Sequence, residues 1–322
     1  MKGCGAGTAT GASRQGHVFV WTAISFLGLG TPAFAQSAPE QLSPAAATAD
    51  TDQSGEYKIV PIEPPSFFHH WRATLDYGYR EGPLVDVDLS RNGNAHGSQV
   101  ILGLEAGLGR QGFGRIEAGV DFGESERTLR FDDMKGDFDR RFIGASAGLF
   151  ILPFLAFGAE ARYGGGEEED VLTNRFFGEV TETDRKDTEW RATPFALLTA
   201  PVGPVQFSLL GAYSYIERES DYSDPTLPDN DRASMDLWLV NGGADWHISS
   251  EFTLGANVGW TEILEQDLQT GAVALDEEWG SVGGHLIYRL LDGLELTVRG
   301  GHDFANSQGD GFRVGGGIAY RF

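Results

Sequence analysis

The chain closes on Gly315-Gly316-Gly317-Ile318-Ala319-Tyr320-Arg321-Phe322. Counting back from the end, Phe322, Tyr320 and Ile318 are apolar, whereas the residues between them are charged or small. Alternation with a period of two residues is the pattern of a β-strand that has one apolar face. Soluble proteins rarely end in mid-strand on an aromatic residue. The stretch therefore predicts a terminal strand with an apolar, aromatic face.

This strand resembles the C-terminal assembly signal of Gram-negative outer-membrane β-barrels, which ends on an aromatic residue with another two residues earlier. Gly317, Tyr320 and Phe322 carry the resemblance. It implies an outer-membrane location and a closed barrel. It also implies that the β-barrel assembly machinery binds this strand as a partner.

The first 35 residues are typical of a secretory signal peptide. A basic start with Lys2 and Arg14 precedes an apolar stretch at residues 18–29, and Ala33-Phe34-Ala35 forms an A-x-A site before Gln36. An uncleaved membrane helix is the alternative, but it needs about 20 apolar residues. We therefore expect export and cleavage between Ala35 and Gln36.

Cleavage would remove Cys4, the only cysteine, so no disulfide or thiolate metal site is expected. Losing Lys2 and Arg14 leaves 22 basic against 47 acidic residues, a formal charge of −25. No nucleic acid is expected as a partner, because phosphate binding requires a basic surface. The longest apolar stretch after the predicted signal peptide, Leu149–Phe157, contains Pro153, so an integral protein must be a closed barrel.

Residues 36–68 are predicted to form a flexible periplasmic linker. Residues 36–55 are rich in Ala, Ser, Pro, Thr and Asp and show no periodicity. Residues 57–65 are more apolar but are interrupted by proline. An edge pairing or a contact with a periplasmic partner is the alternative for this second stretch.

Sustained alternation begins near residue 70 and predicts twelve strands. Each run is near the 9–11 residues that a tilted strand needs to cross a bilayer. The runs lie at about 71–80, 99–108, 115–122, 142–151, 154–164, 188–200, 204–216, 235–247, 252–261, 279–289, 294–302 and 312–322. The predicted fold class is all-β, a transmembrane antiparallel up-and-down β-barrel over residues 69–322.

The connections between these runs alternate in length. The short ones lie at 110–112, 152–153, 201–203, 248–251 and 290–293. The longer, polar ones lie at about 81–97, 124–140, 165–187, 217–233, 262–277 and 303–311. Outer-membrane barrels have short periplasmic turns and long extracellular loops. The pattern therefore predicts that both chain termini are periplasmic and that long, acidic loops face outwards.

Aromatic residues are predicted at both ends of the apolar faces, as in the interfacial girdles of membrane barrels. The periplasmic set is Trp71, Phe207, Trp246, Phe252, Tyr320 and Phe322. The outer set is Tyr77, Tyr79, Trp190, Tyr213, Tyr215, Trp238 and Trp260. A soluble barrel is the alternative, but its polar face would point outwards.

Twelve strands and an aromatic end also resemble autotransporter β-domains and small porin-like barrels. The resemblance covers roughly residues 70–322. Autotransporter β-domains follow a secreted passenger and a helix that threads the lumen. Only about 34 residues separate the predicted cleavage site from the first strand here, and their prolines disfavour a helix. The expectation is therefore an autotransporter-like barrel without a passenger.

The opposite parity places charged residues inside the predicted barrel. The candidate lumen-lining residues are Arg72, Asp76, Arg80, Glu105, Arg115, Glu117, Asp121, Glu160, Arg162, Arg191, Asp245, Glu295, Arg299 and Arg313. Structural Arg–carboxylate pairs are one interpretation. Twelve strands lie between the filled eight-stranded and the open sixteen-stranded barrels. A narrow pore and a plugged lumen therefore both remain open.

Some inward positions are apolar instead. They are Phe142, Phe150, Phe195, Leu197, Leu210, Ile216, Leu237 and Leu239. Such a wall could guide an amphipathic solute, or it could pack against a loop that folds inwards.

The predicted loops hold the acidic excess, as in Glu167-Glu168-Glu169-Asp170. Carboxylates are the ligands that hard cations prefer, but no D-x-D-x-D-G motif is present. We expect no dedicated metal site and no cofactor, apart from loosely bound divalent cations that bridge the acidic loops to lipopolysaccharide. An acidic mouth would concentrate cations.

Twelve-stranded lipid hydrolases use Ser and His on the outward face, so catalysis is the third class to consider. His302 is the one plausible outward histidine near the outer rim, and no serine lies two residues from it. No nucleophile–base–orienter spacing emerges, and no catalytic residue is predicted.

The leading hypothesis is a narrow, porin-like passive channel for small polar or cationic solutes. Outer-membrane lipid, lipopolysaccharide, the assembly machinery and the solutes are the expected partners. A closed barrel that displays its loops as a scaffold or adhesin, a passenger-less autotransporter-type barrel, and a lipid-modifying enzyme are the alternatives.

Overall fold

The structure is a computed structural model that describes residues 68–84, 93–109, 111–128, 132–174, 176–223, 231–267, 278–291, 293–304 and 311–322. The predicted signal peptide, its cleavage site and the predicted linker up to residue 67 lie outside the described residues. Within these ranges, no helix is long and apolar enough to cross a membrane.

The described residues form twelve antiparallel strands that close into one barrel. The strands are β1 (Phe68–Leu84), β2 (Gly93–Leu108), β3 (Gly112–Thr128), β4 (Asp132–Leu152), β5 (Leu155–Asn174), β6 (Val180–Val202), β7 (Val205–Tyr222), β8 (Asp231–His247), β9 (Phe252–Asp267), β10 (Glu278–Leu291), β11 (Leu294–Phe304) and β12 (Gly311–Arg321). Every strand pairs with its neighbours in sequence, and β12 pairs with β1. The predicted fold class is confirmed.

The terminal strand closes the barrel. Arg72 of β1 lies opposite Arg321 of β12, and the pairing continues to Glu81 and Phe312. The backbone N–H of Phe322 donates to the carbonyl oxygen of Trp71 at 3.0 Å. Because closure pairs every strand on both sides, the barrel leaves no exposed strand edge.

The two faces of the strands differ as the alternation predicted. Outward side chains are large, apolar and exposed; for example, Leu102, Ile143 and Val298 are 60%, 63% and 65% exposed. Inward positions hold most of the buried charged side chains, such as Glu105 and Arg191. An apolar exterior around a polar interior is the arrangement of a transmembrane barrel in lipid.

One end of the barrel, here called the inner rim, carries short turns. Gly109 and Gly203 lie in two of these turns with φ angles of 61° and 60°. Positive φ is costly for residues with a side chain, so glycine suits both positions. The inner rim corresponds to the predicted periplasmic side.

At the opposite end, here called the outer rim, the strands are longer than the sequence predicted. Residues 165–187, predicted as one loop, mostly belong to β5 and β6, which end at Asn174 and begin at Val180. β4 likewise begins at Asp132, inside the predicted loop 124–140. The predicted loop was wrong because water reaches both faces of the sheet beyond the lipid. Polar residues can therefore occupy both faces there, and the apolar–polar alternation disappears although the backbone pairing continues.

Candidate functional site

The predicted lumen-lining residues all lie on the inward parity of their strands. Five are buried: Glu105, Arg191, Asp245, Glu295 and Arg313. The others are half-buried, namely Arg72, Asp76, Arg80, Arg115, Glu117, Asp121, Glu160, Arg162 and Arg299. The structure joins most of them into ion pairs.

A chain of ion pairs begins near the inner rim at Glu295 of β11. Its carboxylate accepts from Arg72 at 2.8 Å and from Arg289 at 3.2 Å. Arg72 also donates to Glu105 at 3.1 Å, across to β2. The Glu295 carboxylate and the Arg72 guanidinium thus connect strands on both sides of the β1–β12 seam. Arg321 also lies near Glu295, at 3.6 Å.

The chain continues without interruption to β6. Arg115 lies 3.0 Å from both Glu105 and Glu117, and Arg162 lies 2.5 Å from Glu117. The last link is Glu160, which lies 3.7 Å from Arg162 and 3.4 Å from Arg191. We call the series from Arg289 to Arg191 the charged track. Its members are Arg289, Glu295, Arg72, Glu105, Arg115, Glu117, Arg162, Glu160 and Arg191.

The charged track rises through the barrel. Glu295 is the second residue of β11, next to the inner rim, whereas Arg191 lies in the middle of β6. Strands of membrane barrels tilt by roughly 35–45°, so rows of paired residues run obliquely to the barrel axis. The track therefore runs from the inner rim to the middle of β6.

The wall formed by β7 to β10 is different. Its inward positions include Ser214, Asn241, Asn257 and Ser281. Gly259, two residues after Asn257 in β9, is paired with Asn241 of β8 and with Ser281 of β10. Thr193 and Ser214 share a hydrogen bond of 2.9 Å. These side chains are short and uncharged, and we call this surface the neutral wall. These four positions of β7 to β10 are thus uncharged, in contrast to the charged track.

Four of the six remaining predicted charges, Asp76, Arg299, Arg313 and Asp245, form separate pairs. Asp76 lies 3.3 Å from Arg299, and Arg313 lies 3.0 Å from Asp303. Asp245 lies 3.1 Å from the Nε2 atom of His285.

A second network lies at the outer rim and was missed by the sequence reasoning. Arg140 lies 3.2 Å from both Glu168 and Asp187, and Arg185 contacts the same two carboxylates. Ser220 donates to Asp187 at 2.5 Å. All five side chains are buried. A signal was available, since Arg185 and Asp187 keep the inward parity of Arg191 into the segment predicted as a loop.

This outer network holds Asp187 in its ionised form. The segment lies beyond the lipid-facing band, because the neighbouring outward residues Lys186 and Thr188 are polar and exposed. Burial by itself raises the pKa of Asp187, but Arg185, Arg218 and Arg140 outweigh it and lower the pKa to about 2.

The predicted apolar lumen wall divides into two clusters. The inner cluster contains Phe113, Phe150, Ala156, Leu197, Phe195 and Leu210. The outer cluster contains Ile216, Met235, Leu237, Ile263 and Trp279. Both consist of side chains that pack on one another from adjacent strands. Leu239 is also buried, whereas Phe142 lies apart beneath Arg162.

Two histidines, His285 and His247, contact polar side chains of other strands. His285 contacts Asp245, and Ser281 lies on the same strand face four residues away, about 13 Å at 3.3 Å per residue. His247 shares a hydrogen bond of 3.0 Å with Thr253. Among the residues that the structure describes, no group of His, Cys, Asp and Glu is arranged to hold a metal ion.

The residues of the predicted assembly signal lie on both faces of β12. Tyr320 and Phe322 are outward and more than half exposed, with stacked rings whose centroids are 6.1 Å apart. Gly317 faces the lumen, where an added Cβ would lie 2.5 Å from the Oδ1 atom of Asp76. Their recognition by the assembly machinery stays a prediction.

Comparisons with known proteins support the fold. The chain is similar to the translocator domain of the autotransporter NalP from Neisseria meningitidis, with a TM-score of 0.67 and 15% identity over 79% of this chain and 88% of that one. It is also similar to the β-domain of the Bordetella autotransporter BrkA, with a TM-score of 0.56 and 12% identity over 79% and 100% of the two chains.

An outer-membrane channel from Pseudomonas putida F1 is similar as well, with a TM-score of 0.54 and 14% identity over 82% of this chain and 100% of that one. No protein-family model and no curated protein sequence matches the chain. At these identities the likeness concerns the fold, which is that of an outer-membrane β-barrel. Channels and autotransporters share it, so the role must be argued from the lumen.

Proposed function

We propose that this outer-membrane barrel is a narrow passive channel for small polar solutes. The observation that supports the proposal is the charged track, which gives polar groups a continuous series of partners from the middle of β6 to the inner rim. A barrel that only needed to be filled could use apolar side chains, since buried ion pairs contribute little net stability. The presence of charged side chains along this series of positions therefore favours a solute path.

The size of the barrel is compatible with a narrow path. Twelve strands spaced about 4.8 Å apart and tilted by about 40° enclose a cylinder about 24 Å across between backbones. Arginine and glutamate side chains occupy much of this width along the charged track. We place the solute path beside the half-buried Asn257 of the neutral wall, where its neighbours Gly259 and Gly283 have no side chains. Solutes would pass between the two surfaces.

A preference for cations is part of the proposal. Outward and exposed carboxylates crowd the outer rim, among them Asp137, Asp139, Glu167, Glu169 and Asp184. Such a rim raises the local concentration of cations and repels anions. The same carboxylates would bind divalent cations that bridge to lipopolysaccharide. Both effects weaken as the salt concentration rises, because the charges are exposed.

Planar-bilayer recording of the refolded chain tests the channel. We expect small, stepwise conductance with a reversal potential that favours cations. Asn257→Trp, which fills the space beside the neutral wall, should lower the conductance. Val258→Trp is the matched control, because Val258 faces lipid and is 57% exposed. Absence of conductance steps in any salt would exclude a channel, and equal effects of both variants would exclude the proposed path.

The outer network favours a second candidate function, a scaffold or adhesin. Arg140, Glu168, Arg185 and Asp187 bind β4, β5 and β6 together beyond the lipid-facing band, which would make these strands a rigid display surface. Deleting residues 166–187 would join Gly165 to Thr188, which are paired in the barrel. Cell-surface or partner binding should then disappear while membrane insertion persists; binding that survives the deletion would argue against this role.

The other two alternatives have weaker support. The autotransporter likeness concerns the fold, and no described residue points to a passenger. A lipid-modifying enzyme would alter lipid A or phospholipid profiles on overexpression, and unchanged lipids would remove that alternative.

A further inference from the structure

The neutral wall has a depression where β8, β9 and β10 lie side by side. Six inward positions of these strands are paired in two neighbouring rows, and three of the six are glycines, which have no side chain. Gly259 is the middle position of the row nearer the outer rim, and Asn257 is the middle position of the other row. We call this place the glycine cleft, and its members are Asn241, Gly259, Ser281, Gly243, Asn257 and Gly283.

Two polar side chains converge over Gly259. A Cβ atom on this glycine would lie 2.7 Å from the Oγ atom of Ser281 and 3.0 Å from the Nδ2 atom of Asn241. Asn241 is only 5% exposed, and its Oδ1 atom has no hydrogen-bond partner among the described residues. A buried polar atom without a partner is costly. A hydroxyl group both donates and accepts, so a hydroxyl of a ligand can satisfy this amide.

An aromatic ring borders the cleft on its outer side. Trp279 precedes Ser281 by two residues on the same face of β10 and is half-buried. It packs against the outer cluster, which holds the indole in place, while the uncovered part of its surface faces the lumen. Such a ring offers an apolar face to a flat partner, and its N–H group can donate a hydrogen bond.

The cleft itself carries no charge. The next row toward the inner rim contains Asp245 and His285, which lie 3.1 Å from each other and are thus already paired. A charged solute that entered the cleft would lose water without gaining a free partner of opposite charge, whereas a neutral polar solute would lose less.

We infer that the glycine cleft binds a neutral, hydroxyl-rich ring of the kind found in sugars. Hydroxyl groups of the ring would pair with Asn241, Asn257 and Ser281, and its apolar C–H face would pack against Trp279. The inference names a solute class for the channel proposed above. It rests on that proposal for the idea of passage, whereas binding itself needs no passage.

Titration calorimetry of the refolded full chain tests the inference in micelles of lauryldimethylamine oxide, a detergent without a sugar headgroup. Methyl β-glucoside should bind saturably in the millimolar range. Triethylene glycol dimethyl ether, which accepts hydrogen bonds but has no hydroxyl group, should bind at least fivefold more weakly. Glucosamine, which is positively charged, should bind no more tightly than the glucoside in high salt, which screens the acidic rim. The absence of saturable glucoside binding would overturn the inference, as would equal binding of the ether or tighter binding of glucosamine.

Asn241→Leu separates binding from folding. Leucine has a similar size but lacks the unpaired amide, so glucoside binding should fall about fivefold while the urea midpoint stays the same or rises. Gln99→Leu is the matched control, because Gln99 of β2 is also 5% exposed and its Nε2 atom is also unpaired, but it lies outside the cleft. The control should leave glucoside binding unchanged. Unchanged binding in Asn241→Leu, or equal losses in both variants, would contradict the site.

Trp279→Leu tests the aromatic border and should weaken glucoside binding several-fold. Trp260→Leu is the matched control, because Trp260 of the adjacent strand faces lipid and is 37% exposed. Heat modifiability in electrophoresis checks that each variant is a folded barrel. Equal effects of the two tryptophan variants would refute the aromatic contact. A barrel that conducts but does not bind the glucoside would contradict this inference alone, whereas one that binds but does not conduct would contradict the channel alone.

Discussion

Glu295→Gln is the substitution that tests the charged track most directly, because Glu295 connects both sides of the barrel seam. The carboxylate is buried and lies 2.8 Å from Arg72, 3.2 Å from Arg289 and 3.6 Å from Arg321. Glutamine keeps the size and one acceptor oxygen but removes the negative charge. Three guanidinium groups would then surround a neutral side chain.

The expected loss can be worked out from the exposure of each partner. Breaking a fully buried pair costs about 3–5 kcal/mol. Arg72 is half-buried and keeps Glu105 at 3.1 Å, so the loss of its pair with Glu295 costs less than that. Arg289 and Arg321 are 36% and 50% exposed and can be hydrated, so each adds at most about 1 kcal/mol. We expect a total loss of about 2–3 kcal/mol in the free energy of unfolding.

Urea unfolding of the barrel in phospholipid vesicles, followed by tryptophan fluorescence, measures this loss. The midpoint should fall while the dependence on urea stays the same, because the fold is unchanged. Glu167→Gln is the matched control, since its pair with Lys186 is about 70% exposed on both sides. A loss below about 0.5 kcal/mol for Glu295→Gln, or an equal loss in the control, would refute the view that the track stabilises the seam.

Three further predictions concern assembly, pH and packing. Phe322→Ser should slow assembly, because the terminal strand would lose its aromatic end; wild-type amounts of heat-modifiable barrel in the outer membrane would contradict this. The lowered pKa of Asp187, about 2 against a usual 3.8, gives stability that is complete above about pH 4 and is lost as the pH falls toward 2. This amounts to about 2 kcal/mol, and unfolding midpoints measured at pH 5 and pH 2.5 should differ more in the wild type than in Asp187→Asn. Gly119→Ala should cost about 1–3 kcal/mol because it displaces the Phe142 ring, and an unchanged urea midpoint would show that the ring can move freely.

The strand count and the orientation of each lumen residue could be predicted from sequence because lipid and lumen impose opposite polarities. Leu102 and Gly103, for example, are consecutive residues of β2, so Leu102 faces the lipid and Gly103 faces the lumen. Where that contrast ends, prediction failed. Arg185 and Asp187 lie in a paired strand, but lipid no longer borders their neighbours, so apolar residues no longer alternate with polar ones. Only the parity that they share with Arg191 remains as a signal.

Partners within the lumen were also beyond prediction. Glu160 and Arg191 are 31 residues apart, and Arg72 and Glu295 are 223 residues apart. The alternation along each strand places these four side chains inside the barrel, but it does not give their positions along the barrel axis. Register and strand tilt set the height, and backbone pairing between distant segments fixes both.

By itself the sequence determined a closed barrel of twelve strands, because a polar backbone in lipid must be paired throughout and the side chains must alternate between lipid and lumen. The tertiary structure alone decided which charges meet, how the track runs from Glu295 to Arg191, and how the outer network joins β4, β5 and β6. The orientation of each residue toward lipid or lumen follows from the local sequence alternation, whereas side-chain contacts across the lumen depend on the closure of the whole sheet. For the same reason, the terminal strand that ends at Phe322 could be recognised as a strand from its alternation, while its pairing with β1 required the closed barrel.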